Sequence, residues 1–485
     1  MSCFSYFNNL GFISPYYLWQ NGKITTENNF AKIVTQKDNK SIDVAAVIEI
    51  ISRYHCFADR TLVQGVFRSP WMAKPNERND TWIYSSLPDH QNLILPVEEI
   101  ARNLFEKLQT EIIDYCLGKK TIGILLSGGM DSRIVASILN FLTKNKILHL
   151  GVVAITWGMN QSRDVIYANE IAKRFKWDWI HIPINPETLY ENIFETAKQG
   201  CEYSPVHLHG MAKISRINGL DGILAGSYGD SVGRAEYSGK HISQLRSFDK
   251  FTFNWFSLVL ANAYQEIKAN IKTDVENYRK LFPRAQIYQQ NEIDQQAHYM
   301  RRKLNQCMGL INKNIPVYQV FTHPEVFGYM WSLSPRVRND QVYQQLLQLC
   351  STDLLDIPWA RTGIPFLEKD QKSDGYSKSH HHYGRWIRNE LYSDIKKKIL
   401  SGNIESLGIF NIKAINYILN SCAKFSKNDN MTKLDEIIIW LAAFNDFIQL
   451  YEIKGGGYKH TIIDKVSAGF VTPIEFIGFK ISKRN

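Results

Sequence analysis

No apolar run in the 485 residues reaches the roughly 18 needed to span a bilayer. The N-terminus carries Asn8, Asn9 and Asn21 rather than a basic cluster followed by an apolar one. A signal peptide is therefore not expected, and a cytoplasmic location is. The seven cysteines include no CxxC pair, which argues against a zinc site and a disulfide frame. There is no Gly-Lys-Ser/Thr, so a Walker phosphate loop is excluded. Internal repeats and low-complexity tracts are absent as well. What is present is a chain of 44% hydrophobic and 21% charged residues, with room for two or three domains of about 150 residues each. Its net charge of +10 admits a nucleic-acid or anionic-lipid partner. The basic residues, however, fall in short groups such as Arg301-Arg302-Lys303 and Lys396-Lys397-Lys398, not along one stripe. The expectation is a solvated basic surface with no membrane or nucleic-acid partner.

The most informative stretch runs from Thr121 to Leu139. Ile122 to Leu126 reads as a buried parallel strand, too short for a helix. Ser127-Gly128-Gly129 follows, and then an apolar-periodic helix over Ile134 to Leu142. A strand, a glycine turn and a helix N-terminus together form an anion site, because glycine lets backbone N–H groups approach a ligand closely. Ser127 and Ser132 add hydroxyl donors, and Asp131 offers a carboxylate where a phosphate-bound Mg²⁺ needs a ligand.

The elements around this stretch alternate. An amphipathic helix over 97–117, apolar at Ile100, Leu104, Leu108, Ile112 and Cys116, precedes strand 121–126. Helix 131–144, strand 148–156, helix 163–175, strand 178–183, helix 187–199, helix 208–218 and strand 222–225 come next. This order predicts an α/β fold with a doubly wound parallel sheet, whose ligands bind beyond the carboxyl ends of the strands. Ser127 and the segment after Leu224 both lie there. Beyond about residue 245 helical periodicity dominates. Three domains are expected: a small α+β region over 1–95, the α/β core over 96–245, and a mostly helical part over 246–485.

Ser127-Gly128-Gly129-Met130-Asp131-Ser132 resembles the SGGxDS pyrophosphate loop of the ATP-pyrophosphatase group, with its adenine-nucleotide α-hydrolase-like fold. About a hundred residues later, Ala225-Gly226-Ser227-Tyr228-Gly229-Asp230-Ser231 is similar to the second loop of asparagine synthetases, Ser-Gly-Glu-Gly-Ser-Asp-Glu. Asp164 to Ala168, Pro205 to Met211, Leu407 to Lys413 and the helix from Leu434 to Leu450 resemble further segments of that family. The likeness covers roughly residues 95 to 455.

The resemblance implies an amide-forming ligase. A carboxylate attacks the α-phosphorus of ATP, pyrophosphate leaves into the first loop, and ammonia or an amine displaces AMP. Nucleotide contacts are implied for Leu126, Ser127, Gly128, Gly129, Asp131, Ser132, Trp157, Gly226, Tyr228 and Gly229. Asp131 and Asp230 are implied to share Mg²⁺. Three positions depart from the family pattern. Ser227 and Ser231 stand where it has glutamates, and the lysine that steadies the adenylate has Arg361, in Pro358-Trp-Ala-Arg-Thr-Gly-Ile-Pro365, as its nearest cation. Arginine holds phosphate bidentately but cannot shuttle a proton.

The N-terminal part also departs. The family's glutaminase begins Met-Cys-Gly, whereas Cys3 is third and followed by Phe4. Asp59 to Gly65 resembles that domain's closing segment. Residues 1–95 therefore read as a shortened remnant, with nitrogen coming from ammonia or an amine. Relatives without a glutaminase make peptides, lactams or amidated sugars, so the resemblance implies a small-molecule, peptide or sugar carboxylate as the acid and is compatible with a homodimer. Two other readings stay open: a tRNA-modifying adenylating enzyme, and a nucleotide-binding protein without catalysis. His380-His381-His382 reads as a coincidental loop run, with no carboxylate or cysteine nearby, while His207 and His209 are placed to flank the substrate.

Overall fold

A computed structural model describes residues 10, 14–20, 22–76, 78, 80–245, 247–248, 253–366, 373–424 and 432–481. Cys3 and Phe4 lie outside the described residues. Tyr16–Gln20 (β1) pairs antiparallel with both Lys23–Glu27 (β2) and Val66–Arg68 (β3), and Ala73–Asn76 (β4) pairs with Thr81–Tyr84 (β5).

The central sheet is α/β and wholly parallel. Thr121–Leu125 (β6), Gly151–Gly158 (β7), Asp178–Pro183 (β8) and Gly222–Ala225 (β9) form it, after a small hairpin of Glu236–Tyr237 (β10) and Lys240–His241 (β11), with Val317–Gln319 (β12). The order is β12-β9-β6-β7-β8. β6 is the middle strand, and its side chains alternate between two cores as the pleat requires. Ile122 and Ile124 pack with helices Val97–Cys116, Met130–Lys144 and Arg163–Phe175. Leu125 packs on the other face, with Met211, Ile214, Cys307 and Ile311. A strand buried on both faces must be apolar throughout, which is why 122–126 carries no polar residue.

Three boundaries differ from the sequence expectation. β7 begins at Gly151, not 148: the turn from the preceding helix is at 145–147, and residues 148–150 lead on from it without pairing in the sheet. The helix expected over 208–218 is instead a short 3₁₀ turn, Pro205–Leu208, and one helical turn, Met211–Ile214. His209 breaks it, with φ +45°. β12 was not expected: three residues show no periodicity, and they sit within a region that otherwise reads as helical.

The N-terminal strands share a core with distant helices. Tyr16, Phe30, Val47 and Ile51 pack with Leu189, Ile267, Leu419 and Phe444. Arg301 and Arg302, both buried, reach back to this region. Arg301 donates to Asp59 at 2.7 Å, and Arg302 pairs with Glu202 at 2.8 Å. No helix among the described residues is long and apolar enough to cross a membrane.

Candidate active site

β6 ends at Leu125, and the N–H of Leu126 still donates to Ile155 of β7 at 2.9 Å. The chain then turns. The N–H of Ser127 donates to the Ser132 hydroxyl at 3.1 Å, the two hydroxyls are 3.1 Å apart, and the Gly129 N–H donates to Ser127 Oγ at 3.1 Å. Gly129 has no side chain with which to cap the helix that starts at Met130. The first-turn N–H groups are thus left for a ligand. Gly129 and Asp131 line a cleft of about 230 Å³.

The second loop leaves β9, the neighbour of β6, and lies directly on the first. A Cβ at Gly226 would sit 2.7 Å from the Asp131 carbonyl oxygen, and one at Gly229 would sit 2.6 Å from Asp131 Cβ. Only glycine permits this approach, and it brings Asp230 to the same cleft as Asp131. Between the two stands Arg234, one turn beyond Asp230 and 2% exposed. Its guanidinium pairs with Asp230, lies 3.4 Å from Asp131 Oδ1 and 2.6 Å from Asp340 Oδ1, and faces the Trp359 and Tyr343 rings. Burial pushes the Asp131 carboxyl up to about 6, against the pull of Arg234 and Arg361. Burial works against the charge on Arg234, but Asp131 and its fellow acids outweigh it and hold the group above its ordinary value.

The third wall is the turn after Pro358. Arg361 donates to Glu236 at 2.7 and 3.4 Å, lies 3.8 Å from Asp230 Oδ1, and stacks 4.5 Å above the Trp359 ring. Burial favours the neutral acid at Glu236, yet the Arg361 bond and the charge of Arg234 hold it below the usual range. This wall is fixed to the first loop by Arg133, a fully buried residue that sequence reading missed. Arg133 donates to the carbonyls of Ile357 at 2.8 Å, Pro358 at 2.7 Å and Gly128 at 3.3 Å, while the Ala360 N–H donates to Gly128 at 3.0 Å. Burial lowers its guanidinium to about 10.

Asp164 and Lys378 complete the lining, and neither was singled out from the sequence as a site residue. Asp164 accepts from the Gly128 N–H. Burial raises its carboxyl, opposed by His380 and by that bond. His380 Nδ1 lies 3.9 Å from Asp164, so the expectation that no carboxylate accompanies the histidine run is corrected. The turn at Met159, whose N–H donates to the His380 carbonyl, brings these distant segments together. Among the described residues no group of three His, Cys, Asp or Glu is disposed to hold a metal ion. His207 bonds Glu436 at 2.8 Å and His209 bonds Tyr383 at 2.9 Å.

The remaining sequence-derived positions fall into two groups. Ser127, Gly128, Ser132, Gly226 and Gly229 form the paired loops around the cleft. Ser227 turns away, its N–H donating to Gln319 at 3.2 Å and its hydroxyl to Met308 Sδ at 3.6 Å. Tyr228 is buried, bonded to Asn305. Trp157 stacks on His209 with ring centroids 6.1 Å apart, at the end of β7.

The chain is similar to known proteins over part of its length. A putative glutamine-hydrolysing asparagine synthetase of Methanocaldococcus jannaschii is 25% identical over 141 residues, which is 28% of this chain. The match spans only 25% of that relative's length. The structure of NMN synthetase from Francisella tularensis aligns with 30% of this chain and 60% of its own, at 16% identity and a TM-score of 0.20. The sequence pattern of the family described as asparagine synthase matches residues 106–355, from within the helix before β6 to the turn before Arg361. That match takes in both loops and just over half of the 485 residues, and the chain belongs to the asparagine synthase family.

Proposed function

We propose that the chain is an ATP-dependent ligase that adenylates a carboxylate and passes the acyl group to ammonia or an amine. The observation that carries this reading is the direct contact of the two loops, which sets Asp131 and Asp230 at one guanidinium below a bare helix N-terminus. In this reading the substrate carboxylate attacks the α-phosphorus, the bond to the β-phosphate bridging oxygen breaks, and pyrophosphate leaves. The first-turn N–H groups of the helix from Met130 and the hydroxyls of Ser127 and Ser132 receive its charge. Those hydroxyls already lie within one another's reach and exchange that bond for one to phosphate at little cost. Arg361 and Lys378, which both line the cleft, hold the adenylate's phosphate. The amine nitrogen then attacks the acyl carbon, loses a proton to solvent, and AMP departs.

Mg²⁺ fits the donor set. Two hard carboxylates from separate loops, both touching one Arg234 nitrogen, suit an ion whose other ligands are phosphate oxygens and water. Asp131 and Asp230 would hold it, and it would neutralise charge on the departing pyrophosphate. Arg234 keeps the two carboxylates oriented without it.

The test is product identity. With Mg-ATP, a panel of carboxylic acids and hydroxylamine as a general amine, the reading expects AMP, pyrophosphate and hydroxamate in equal amounts. ADP and phosphate would contradict it. A second reading, nucleotide binding without transfer, is favoured by Ser227, whose hydroxyl lies against Met308 where the family has a glutamate. Nucleotide binding with no AMP across the panel would select it.

A further inference from the structure

The C-terminal segment carries an apolar face that the ligase chemistry does not use. Helix Ile462–Val466, a π turn over Ser467–Val471 and helix Thr472–Ile481 run on as one rod. The wider turn precedes Pro473, which has no N–H to give the Gly469 carbonyl. The rod is docked by one stripe only, Asp464, Ala468, Thr472 and Phe476, all buried. Thr472 donates to the Phe256 carbonyl at 2.7 Å, and the Phe476 ring meets Phe256 and Tyr417. The opposite stripe is Ile462, Ile463, Val466, Phe470, Ile474 and Ile477. These are between 50% and 79% exposed, and they recur at the spacing of a single helix face. Scattered exposed apolar residues are ordinary, but a continuous row of six is a contact surface.

Charge identifies what it contacts. Residues 459–485 contain five Lys and Arg (Lys459, Lys465, Lys480, Lys483, Arg484) and two acids. Both acids are turned to the protein: Asp464 accepts from the Ala261 N–H at 2.7 Å, and Glu475 accepts from the Phe256 N–H. Lys459 and Lys465 are exposed at the start of the rod. An apolar stripe flanked by cations, its acids turned inward onto backbone donors, is the pattern of a helix that lies in a bilayer interface. A second copy of this chain, docked through a twofold axis, would bring those cations against one another.

We propose that helix 462–481 binds the surface of an anionic lipid bilayer, its outer stripe sunk among the acyl chains and its lysines on lipid phosphates. The absence of a spanning run is no obstacle, since such a helix lies along the membrane rather than through it.

The experiment is sedimentation of the whole chain with phosphatidylcholine vesicles, with and without phosphatidylglycerol. The chain is expected to pellet only with the anionic vesicles and to be released by salt. Phe470→Glu and Ile474→Glu, both on the solvent side, should each lower the bound fraction by about tenfold, with an unchanged far-UV spectrum. Lys459→Glu with Lys465→Glu should weaken anionic binding while leaving the stripe intact. Three results would overturn the proposal. One is a wild type that stays in the supernatant with both vesicle types. Another is an Ile474→Glu variant that pellets as well as the wild type. The third is a wild type that ignores vesicles yet dimerises in a way that Ile474→Glu abolishes, which would assign the stripe to a second copy.

Discussion

Gly226 lies on the backbone of Asp131, so close that a Cβ would stand 2.7 Å from its carbonyl oxygen and 2.8 Å from its carbonyl carbon. The two residues belong to loops that leave adjacent parallel strands, β6 and β9. Their contact makes one site of two separate motifs.

Gly226→Ala therefore forces the loops apart. Overpacking of this kind costs about 1–3 kcal/mol, read by urea unfolding. Affinity for Mg-ATP should fall more than stability does, by about tenfold or more, because the strain falls on the phosphate-binding backbone. Unchanged nucleotide affinity would mean that the second loop takes no part in binding.

Arg133→Met removes the clamp between the first loop and the Pro358 turn. The Ile357 and Pro358 carbonyls lose this donor, while Gly128 keeps the Ala360 N–H, and a loss of about 3 kcal/mol is expected. The same variant should lose AMP formation even at temperatures where it is fully folded, because Arg361 is no longer held against the cleft. Full activity in the folded variant would show that the turn is held by other contacts.

Arg361→Gln separates binding from stability. Its ion pair with Glu236 is half open to water, so unfolding should change by less than about 1 kcal/mol. AMP formation should drop by about a hundredfold, the usual effect of removing a cation from a developing phosphate charge. An active Arg361→Gln would transfer that role to Lys378.

The histidines at the back of the site set a pH dependence. Burial, reinforced by the neighbouring His380, pushes His381 down to about 3, against an unfolded value near 6.5. The unfolded chain thus binds this proton first. The stability due to neutral His381 is complete above about pH 6.5 and is lost as pH falls towards 3. Urea midpoints at about pH 7.5 and about pH 5.5 should differ, with the lower at the acid pH, and His381→Asn should narrow the difference. An equal difference in both proteins would show that His381 is not the group involved.

What the sequence disclosed was local. A strand of unbroken apolar residues, two glycines and a helix start sit within some twenty residues, and the structure has them in place, as it has the parallel sheet the alternation implied. Relationships between distant segments were not legible. Nothing in Met130-Asp131-Ser132-Arg133 says that the arginine turns inward to hold carbonyls two hundred residues away. Arg234 carried a readable signal, four residues after Asp230 on a helical turn, where Asp and Arg pair. His380 and Asp164 meet because β7 ends in a turn that hydrogen-bonds to the His380 segment, a contact with no trace in local spacing. Ser227 shows the opposite failing: a motif position whose side chain the fold directs away from the cleft.

The central claim, that the paired loops bind a magnesium nucleotide, is tested most directly by thermal unfolding of wild type and Asp131→Asn with and without Mg-ATP. At about a hundred times its dissociation constant the ligand adds about 2.7 kcal/mol, a clear rise in the midpoint. The account predicts that rise in the wild type and its loss in Asp131→Asn, which keeps the shape of the side chain but not its charge. No rise in the wild type, or an equal rise in both proteins, would contradict it.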